Sequence, residues 1–288
     1  MHLTKENLEE LSITAKEAAI AAGAIIANAQ GSSIKVNQKD GGENIASQVV
    51  TEIDLKAQEV IIKILSPTIK KFDLGLLAEE SNDDNSRLHK DFFWCIDPLD
   101  GTLSFSRNED GYSTSIALVS KSGDPIIGVV LNPRTNDLYH AIKDEGAFKN
   151  NTPFRIGTPL GHLTLLYDQS FIKLPNFKEE LNNLEARAKE LKLTKVVLHH
   201  LGGAVMNGLS TIELAPAIYY KHPKKAIGGG SLWDFAASSV IQSEAGGFNS
   251  DYYGNPLDLN REDSTFMNHK GVIYCSAINL SSINNKTC

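Results

Sequence analysis

The amino-acid sequence predicts an α+β to α/β protein, and three observations carry that prediction. Two long stretches before residue 70 place apolar residues every three or four positions, the helical period. Between residues 92 and 142 the apolar residues alternate with smaller or polar ones, as strands of an antiparallel sheet do. From about residue 160 onward short apolar runs and helical patterns take turns, the signature of α/β units. The change of pattern predicts an N-terminal α+β region over 1–150 and a C-terminal α/β region over 151–288.

Leu8, Leu11, Ala15, Ala18, Ala22 and Ile25 define a first amphipathic helix over about 5–29, stopped near Gly31. A second is predicted from Thr51, with Ile53, Ala57, Val60, Ile61 and Ile64 on its apolar side and Pro67 beyond its end. Tyr112, Thr114, Ile116 and Leu118 alternate, a Lys121–Asp124 turn follows, and "PIIGVVL" and "DLYHAI" continue the meander. Then come strand "LTLLY", a helix over about 177–191, strand "KVVL", a helix over about 203–213 and strand "PAIYY". A helix from Trp233 to Ala245 is closed by Gly246-Gly247, and "GVIYCSA" is the last strand. No internal repeat is present, and the low-complexity segments are short: the polar loop "SNDDNSRLHKD" and the tail "INNKTC".

Composition narrows the function classes. The chain has 288 residues, a formal net charge of −7 and 41% hydrophobic residues, which is ordinary for a soluble protein with an ample core. An acidic balance gives no electrostatic footprint for a nucleic-acid polymer. Cys95, Cys275 and Cys288 have no metal-ligand spacing and cannot all pair within one chain, so reduced thiols in a cytoplasmic protein are expected. No signal segment and no membrane-length apolar run is seen, so no membrane partner is expected.

One stretch resists a purely structural account. In "WCIDPLDGTLSF" an apolar strand runs straight into two aspartates, Asp97 and Asp100, around a proline. Carboxylates at the edge of a core repel each other and are costly to desolvate unless a cation or donors compensate them. Glu79 and Glu80 end "LGLLAEES", and Asp234 opens the late helix, so three separate segments offer carboxylates at strand ends or helix starts. A hard divalent cation such as Mg²⁺ takes such oxygen ligands. Gly101 and Thr102 add backbone N–H groups suited to a phosphate oxygen. Plainer roles stand beside these. Asp54, three residues after Thr51, and Asp234, three after Ser231, fit capping boxes; Asp97–Gly101 has turn composition. Glu79-Glu80 fits solvated surface. His199-His200 reads as a strand end, since no spaced partner accompanies it.

"WCIDPLDGTLSF" resembles the W-x-x-D-P-[LI]-D-G-T-x-x-F signature of the inositol monophosphatase superfamily of Mg²⁺-dependent phosphomonoesterases. "AEES" is similar to that family's Glu-Glu pair, and "SLWDFAASSVIQSEAGG" to its second signature, W-D-x-A-A followed by E-A-G-G. "VVTEIDLKAQEVI" is similar to its V-T-x-x-D helix start, and "LGGAVMNGLSTIEL" to its G-S-A-A-rich helix. These matches run in family order from about residue 49 to 247.

The resemblance implies a layered α/β/α/β/α sandwich, often dimeric, so a homodimer is expected. It implies that Glu79, Asp97 and the Leu99 carbonyl hold one Mg²⁺, and that Asp97, Asp100 and Asp234 hold a second, with Glu79 and Glu80 near a third. One ion would activate water and the other stabilise the leaving oxygen. Asp54 and Thr102 would orient and deprotonate the attacking water, with Glu79 beside them. The Gly101 and Thr102 amides would bind phosphate, and Gly203, Ala204 and Asp234 would contact substrate. Leu103 follows the Asp-Gly-Thr, and "KHPKKAIGGGSLWD" lacks the glutamate that inositol-type members carry before Trp-Asp. It is more similar to the basic run of 3′(2′),5′-bisphosphate nucleotidases. Lys224 and Lys225, ahead of Gly228-Gly229-Gly230, are therefore expected to meet a second phosphate. The expected reaction releases phosphate from a bisphosphate nucleotide, 3′-phosphoadenosine 5′-phosphate giving AMP, with Li⁺ sensitivity as a family habit. Inositol monophosphatase is the alternative, sugar bisphosphatase a third branch, and a non-catalytic phosphate-binding regulator a fourth reading. A complete carboxylate set argues against the last, and carboxylates drawn from distant segments argue against a Ca²⁺ loop.

Overall fold

The computed structural model describes residues 3–33, 42–168 and 170–276; the "INNKTC" tail with Cys288 lies outside them. Two long helices come first, α1 (Lys5–Ser33) and α2 (Gly42–Lys71). A seven-stranded sheet follows in chain order: β1 (Gly75–Ala78), β2 (Phe92–Asp100), β3 (Ser113–Ser120), β4 (Pro125–Asn132), β5 (Asp137–Ile142), β6 (Ala147–Lys149) and β7 (Thr152–Pro153). All neighbours are antiparallel except β1 and β2. A five-residue helix, α3 (Thr102–Ser106), interrupts it after β2.

The second sheet has β8 (Leu163–Leu166), β9 (Val196–His199), β10 (Ala217–Lys221), β11 (Phe248–Ser250) and β12 (Val272–Cys275), in the order β11-β12-β10-β8-β9. Here β9, β8 and β10 run parallel and the remaining pairs antiparallel. Helix α4 (Phe177–Glu190) joins β8 to β9, α5 (Ala204–Glu213) joins β9 to β10, and α6 (Leu232–Glu244) precedes β11.

Strand alternation sorts side chains into three cores, and the cores define the layers. On β2 and β3, Trp94, Ile96, Ile116 and Leu118 face α1 and α2, where Leu11, Ala15, Ala18, Ala22, Ile26, Ala57, Ile61 and Leu65 are buried. Their strand neighbours Phe93, Cys95, Ala117 and Val119 face the other way, onto α5 and α6. The same middle core takes Tyr219 and Tyr274 from the second sheet, while Ile218, Ile273 and Cys275 turn outward to meet Leu184 and Ala188 of α4. The order is α1α2, sheet, α5α6, sheet, α4, the expected layered sandwich. Among the described residues, no helix is long and apolar enough to cross a membrane.

Three local expectations differ from the structure. Helix α1 continues to Ser33, past Gly31. Helix α2 begins at Gly42, ahead of the expected Thr51, and Pro67 lies inside it, not beyond its end. Proline removes one helical donor, the one that would reach the Lys63 carbonyl; its neighbours bond back to the helix, Ser66 Oγ donating to Ile62 O at 2.8 Å and Thr68 Oγ1 to Leu65 O at 2.7 Å. The polar loop after Glu80 is also anchored more firmly than its composition suggests. Arg87 is 2% exposed, pairs with Asp83 at 2.7 Å, and donates to Asn260 Oδ1 and the Arg261 carbonyl at 2.7 and 2.8 Å.

Candidate metal and phosphate site

The site forms where β2 outruns its neighbour. Pairing with β1 stops at Ala78–Ile96, so Pro98 is spared a ladder partner on that side, and the register with β3 shifts between Asp97 and Asp100. The shift turns the chain so that both aspartates face the same hollow. Asp97 Oδ1 accepts the Leu99 N–H at 2.9 Å, and Thr114 Oγ1 donates to the Pro98 carbonyl at 2.9 Å.

Asp100 reaches the start of α5, where its Oδ1 and Oδ2 accept the Ala204 and Val205 N–H groups at 3.2 and 2.9 Å. Two glycines allow that approach. Gly203, the residue before α5, leaves room that a Cβ would take from the Asp100 carboxylate itself. Gly101 has φ +82°, and a Cβ there would lie 2.8 Å from the Gly111 carbonyl and 3.0 Å from Tyr112 Cα.

Asp234 arrives from α6. Ser231 and Asp234 form a full capping box, with Asp234 Oδ2 accepting the Ser231 N–H at 2.6 Å. Ser115, opposite Asp97 on β3, donates its hydroxyl to the Trp233 carbonyl at 3.2 Å and ties this helix start to the aspartates. Asp97, Asp100 and Asp234 thus offer oxygens all within 4.8 Å of one another. The capping and cluster readings of Asp234 both hold, because the cap uses one oxygen.

Glu79 stands open to solvent on one side but lies within hydrogen-bonding reach of the Asp97 carboxyl. Burial raises its pKa to about 7, offset in part by the Asp97 contact and reinforced by Asp234 and Glu80. Asp97, only 1% exposed, is held well above the carboxylate range by burial, then by Glu79, Asp100 and Asp234. Burial and Asp234 likewise raise Asp100, against the pull of the Val205 N–H and Lys221. Burial raises Asp234 too, with Lys221 opposing. Repulsion among buried all-oxygen donors is what a hard divalent cation would relieve, so the residues fit one.

Asp54 sits twelve residues into α2, 5% exposed, so the helix-cap reading fails. Gln58, one turn on, accepts the Glu80 N–H at 2.9 Å and donates to Ser81 Oγ at 2.7 Å, fastening the Glu79–Ser81 turn beside Asp54. Burial, then Glu80 and Glu79, push Asp54 up to about 8. Its Oδ1 has no hydrogen-bond partner among the described residues. Thr102, expected to act on the attacking water with Asp54, donates its Oγ1 to the Leu99 carbonyl at 3.2 Å. That carbonyl, expected on a cation, therefore already holds one donor.

Gly203 and Ala204, expected to contact substrate, have their backbone amides partnered within the protein: the Gly203 N–H donates to the Gly111 carbonyl at 2.7 Å and the Ala204 N–H to Asp100 at 3.2 Å. Lys224 and Lys225 are exposed, with no ion pair among the described residues. His200 meets the Tyr167 ring at 5.4 Å between centroids, in keeping with a strand-end role. Sequence reasoning missed Gln58, Asp168 and Asn207, and read Lys221 as part of the basic loop with Lys224 and Lys225. Its true place was findable: it lies two residues past Tyr219, so alternation puts it on the inner face of β10.

Comparisons with known proteins agree with this architecture. The model of the inositol monophosphatase family matches residues 7–282. An inositol-1-monophosphatase of Synechocystis is 31% identical over 245 residues, covering 85% of this chain and 80% of that protein. A fructose-1,6-bisphosphatase/inositol-1-monophosphatase of Thermotoga maritima is 28% identical, covering 83% of each. Among solved structures, the inositol monophosphatase of Anabaena superposes with a TM-score of 0.70 over 96% of both chains at 23% identity.

Proposed function

The chain belongs to the inositol monophosphatase family of phosphatases that hydrolyse phosphate monoesters, and from that premise we propose that it acts, with Mg²⁺, on a small metabolite carrying a second phosphate, a 3′(2′),5′-bisphosphate nucleotide. The observation that carries the substrate reading is the basic segment ahead of α6. Lys224 and Lys225 are exposed and free of ion pairs among the described residues, ten and nine residues before Asp234, and can meet an anion that an inositol ring does not offer.

In this reading Asp97, Asp100 and Asp234 would hold cations together with Glu79 and the Leu99 carbonyl. Bound divalent cations would supply electrophilic activation of the phosphoryl group and lower the pKa of a nearby water. The chain's own residues do the rest. The Gly101 and Thr102 amides open α3 beside the cluster and orient the phosphate. Asp54, raised to about 8 by burial, Glu80 and Glu79, keeps its proton near neutral pH in the metal-free protein, and would accept one from water only with cations bound nearby to lower its pKa. Thr102 exchanges its bond to Leu99 for one to the attacking water. Li⁺ inhibition and a homodimer belong to the same proposal.

The inositol reading is the second, favoured by the name of the Synechocystis relative. The test is phosphate release with Mg²⁺ from 3′-phosphoadenosine 5′-phosphate, a nucleoside monophosphate, inositol 1-phosphate and fructose 1,6-bisphosphate. Lys224→Ala with Lys225→Ala should raise KM for the bisphosphate nucleotide alone, by tenfold or more if each charge-assisted contact is worth roughly 1.5–3 kcal/mol. Equal effects on all substrates, or a preference for inositol 1-phosphate, would remove the nucleotide reading.

A further inference from the structure

The loop between β10 and α6 carries three successive glycines, Gly228, Gly229 and Gly230, with left-handed φ of 102°, 92° and 97°. Gly230 abuts the carboxylate cluster: a Cβ there would lie 2.9 Å from Asp234 Oδ2 and 2.6 Å from the Phe235 ring. Against the other end of the run lies the side chain of Lys224. A Cβ at Gly229 would come within 2.9 Å of its Cε and 3.4 Å of its Nζ, and one at Gly228 within 3.7 Å of Nζ. The bare glycines are thus the seat of the lysine. They place its ammonium on the order of 10 Å from the Asp234 carboxylate, within reach of a small ligand with one phosphate at the cluster.

Glycine is the least restrained residue, so such a run holds no shape by itself. The segment 265–268 supplies the shape. Ser231 and Phe266 form an antiparallel bridge, the Leu232 N–H donates to the Thr265 carbonyl at 2.8 Å, and the Met267 N–H to the Gly230 carbonyl at 3.0 Å. Asn268 then closes the loop around Lys224. Its carbonyl accepts the Lys224 N–H at 2.7 Å, and its Nδ2 donates to the Lys224 and Ala226 carbonyls, both at 3.1 Å. The clasp is itself anchored. Arg261 donates to Asn268 Oδ1 at 3.3 Å and to the Phe266 carbonyl at 3.0 Å, and buried Arg87 holds the Arg261 carbonyl.

We propose that Asn268 is a positioning residue for substrate choice: it clasps the Lys224–Ala226 backbone and keeps Lys224 on its glycine seat, where the ammonium meets the second phosphate of a bisphosphate. The inference rests on the bisphosphate reading of the site. A lysine held in place beforehand loses less freedom on binding than one carried by an unordered glycine loop. A substrate with a single phosphate gains nothing from the clasp.

The test is steady-state kinetics with Mg²⁺ on 3′-phosphoadenosine 5′-phosphate and on a nucleoside monophosphate. Asn268→Ala should raise KM for the bisphosphate about three- to tenfold, the scale of one or two lost hydrogen bonds, with kcat and the monophosphate unchanged. Asn268→Asp keeps the partner of Arg261 but loses both amide donors, so it should behave as Asn268→Ala does. In a Lys224→Ala background, Asn268→Ala should add less than about twofold, because the clasp acts through that lysine. Should Asn268→Ala not fold, Asn268→Ser is measured in the same way. An unchanged KM, equal losses on both substrates, a fall in kcat, or an effect fully additive with that of Lys224→Ala would show a merely structural asparagine and overturn the inference alone. So would an Asn268→Asp enzyme with the parental KM. A parent enzyme with no preference for the bisphosphate, and a Lys224→Ala variant with unchanged KM, would overturn the bisphosphate reading and this inference with it.

Discussion

Asp54 allows a prediction with a definite sign. It is buried inside α2, its Oδ1 is unpartnered among the described residues, and burial with Glu80 and Glu79 raises its pKa from 3.8 to about 8. The folded protein therefore keeps a proton that the unfolded chain has already released. Below about pH 4 both states are protonated and there is no penalty; between pH 4 and 8 stability falls as pH rises; above pH 8 the penalty is complete. A shift of about four units at 1.36 kcal/mol per unit sets a ceiling of about 5–6 kcal/mol. Local relaxation and water entry reduce this, so roughly 2–4 kcal/mol is expected, or on the order of 5–10 °C in Tm for a chain of this size. Asp54→Asn keeps the shape and abolishes the titration. Urea unfolding in chelator at pH 5, 7 and 9 should show the variant gaining steadily on the parent, with most of the gain between pH 5 and 8. Parallel stability profiles across that range would refute the assignment of a strained, proton-retaining carboxyl at this position.

The other predictions concern the same hollow. Asp97→Asn should abolish phosphate release yet leave stability in chelator unchanged or higher, because Asp97 is hemmed in by Glu79, Asp100 and Asp234; activity assays and urea unfolding check both halves. Asp54→Asn and Thr102→Ala should each lower kcat by about 10²–10⁴-fold, and the double variant should lose less than the product if both serve one water. A fully multiplicative loss would mean that the two residues act independently and not on one water. Gly203→Ala should force its methyl onto the Asp100 carboxylate and cost about 1–3 kcal/mol by urea unfolding, with weaker binding of Mg²⁺ by calorimetry.

What was legible in the sequence, and what was not, follows from the range of the forces involved. Periodicity reports which face of an element meets a core, so the strands feeding Asp97 and the apolar faces of α1 and α2 were readable from local pattern alone. Helix ends depend on caps and on contacts elsewhere. Thr51-x-x-Asp54 therefore looked like a helix start, while the chain had been helical since Gly42. The same three-residue spacing at Ser231 and Asp234 is a true cap, and no local feature separates the two cases. Partnerships across long separations were less legible still. Arg87 looked like part of a solvated loop because its partners Asn260 and Arg261 are over 170 residues away.

Lys221 shows why this matters for the site. In the linear sequence it begins a basic run with Lys224 and Lys225, and all three carry the same charge at nearly the same distance from Asp234. Strand alternation divides them: Lys221, still on β10, turns inward to Asp168, while the two later lysines leave the strand and stay in solvent. One basic run thus supplies two different elements, an inner charge paired with Asp168 and outer charges free to meet an anion. Removing the outer pair should raise KM for a bisphosphate without changing cation affinity measured without substrate. A change in that cation affinity would place the two lysines at the carboxylates and not at a second phosphate.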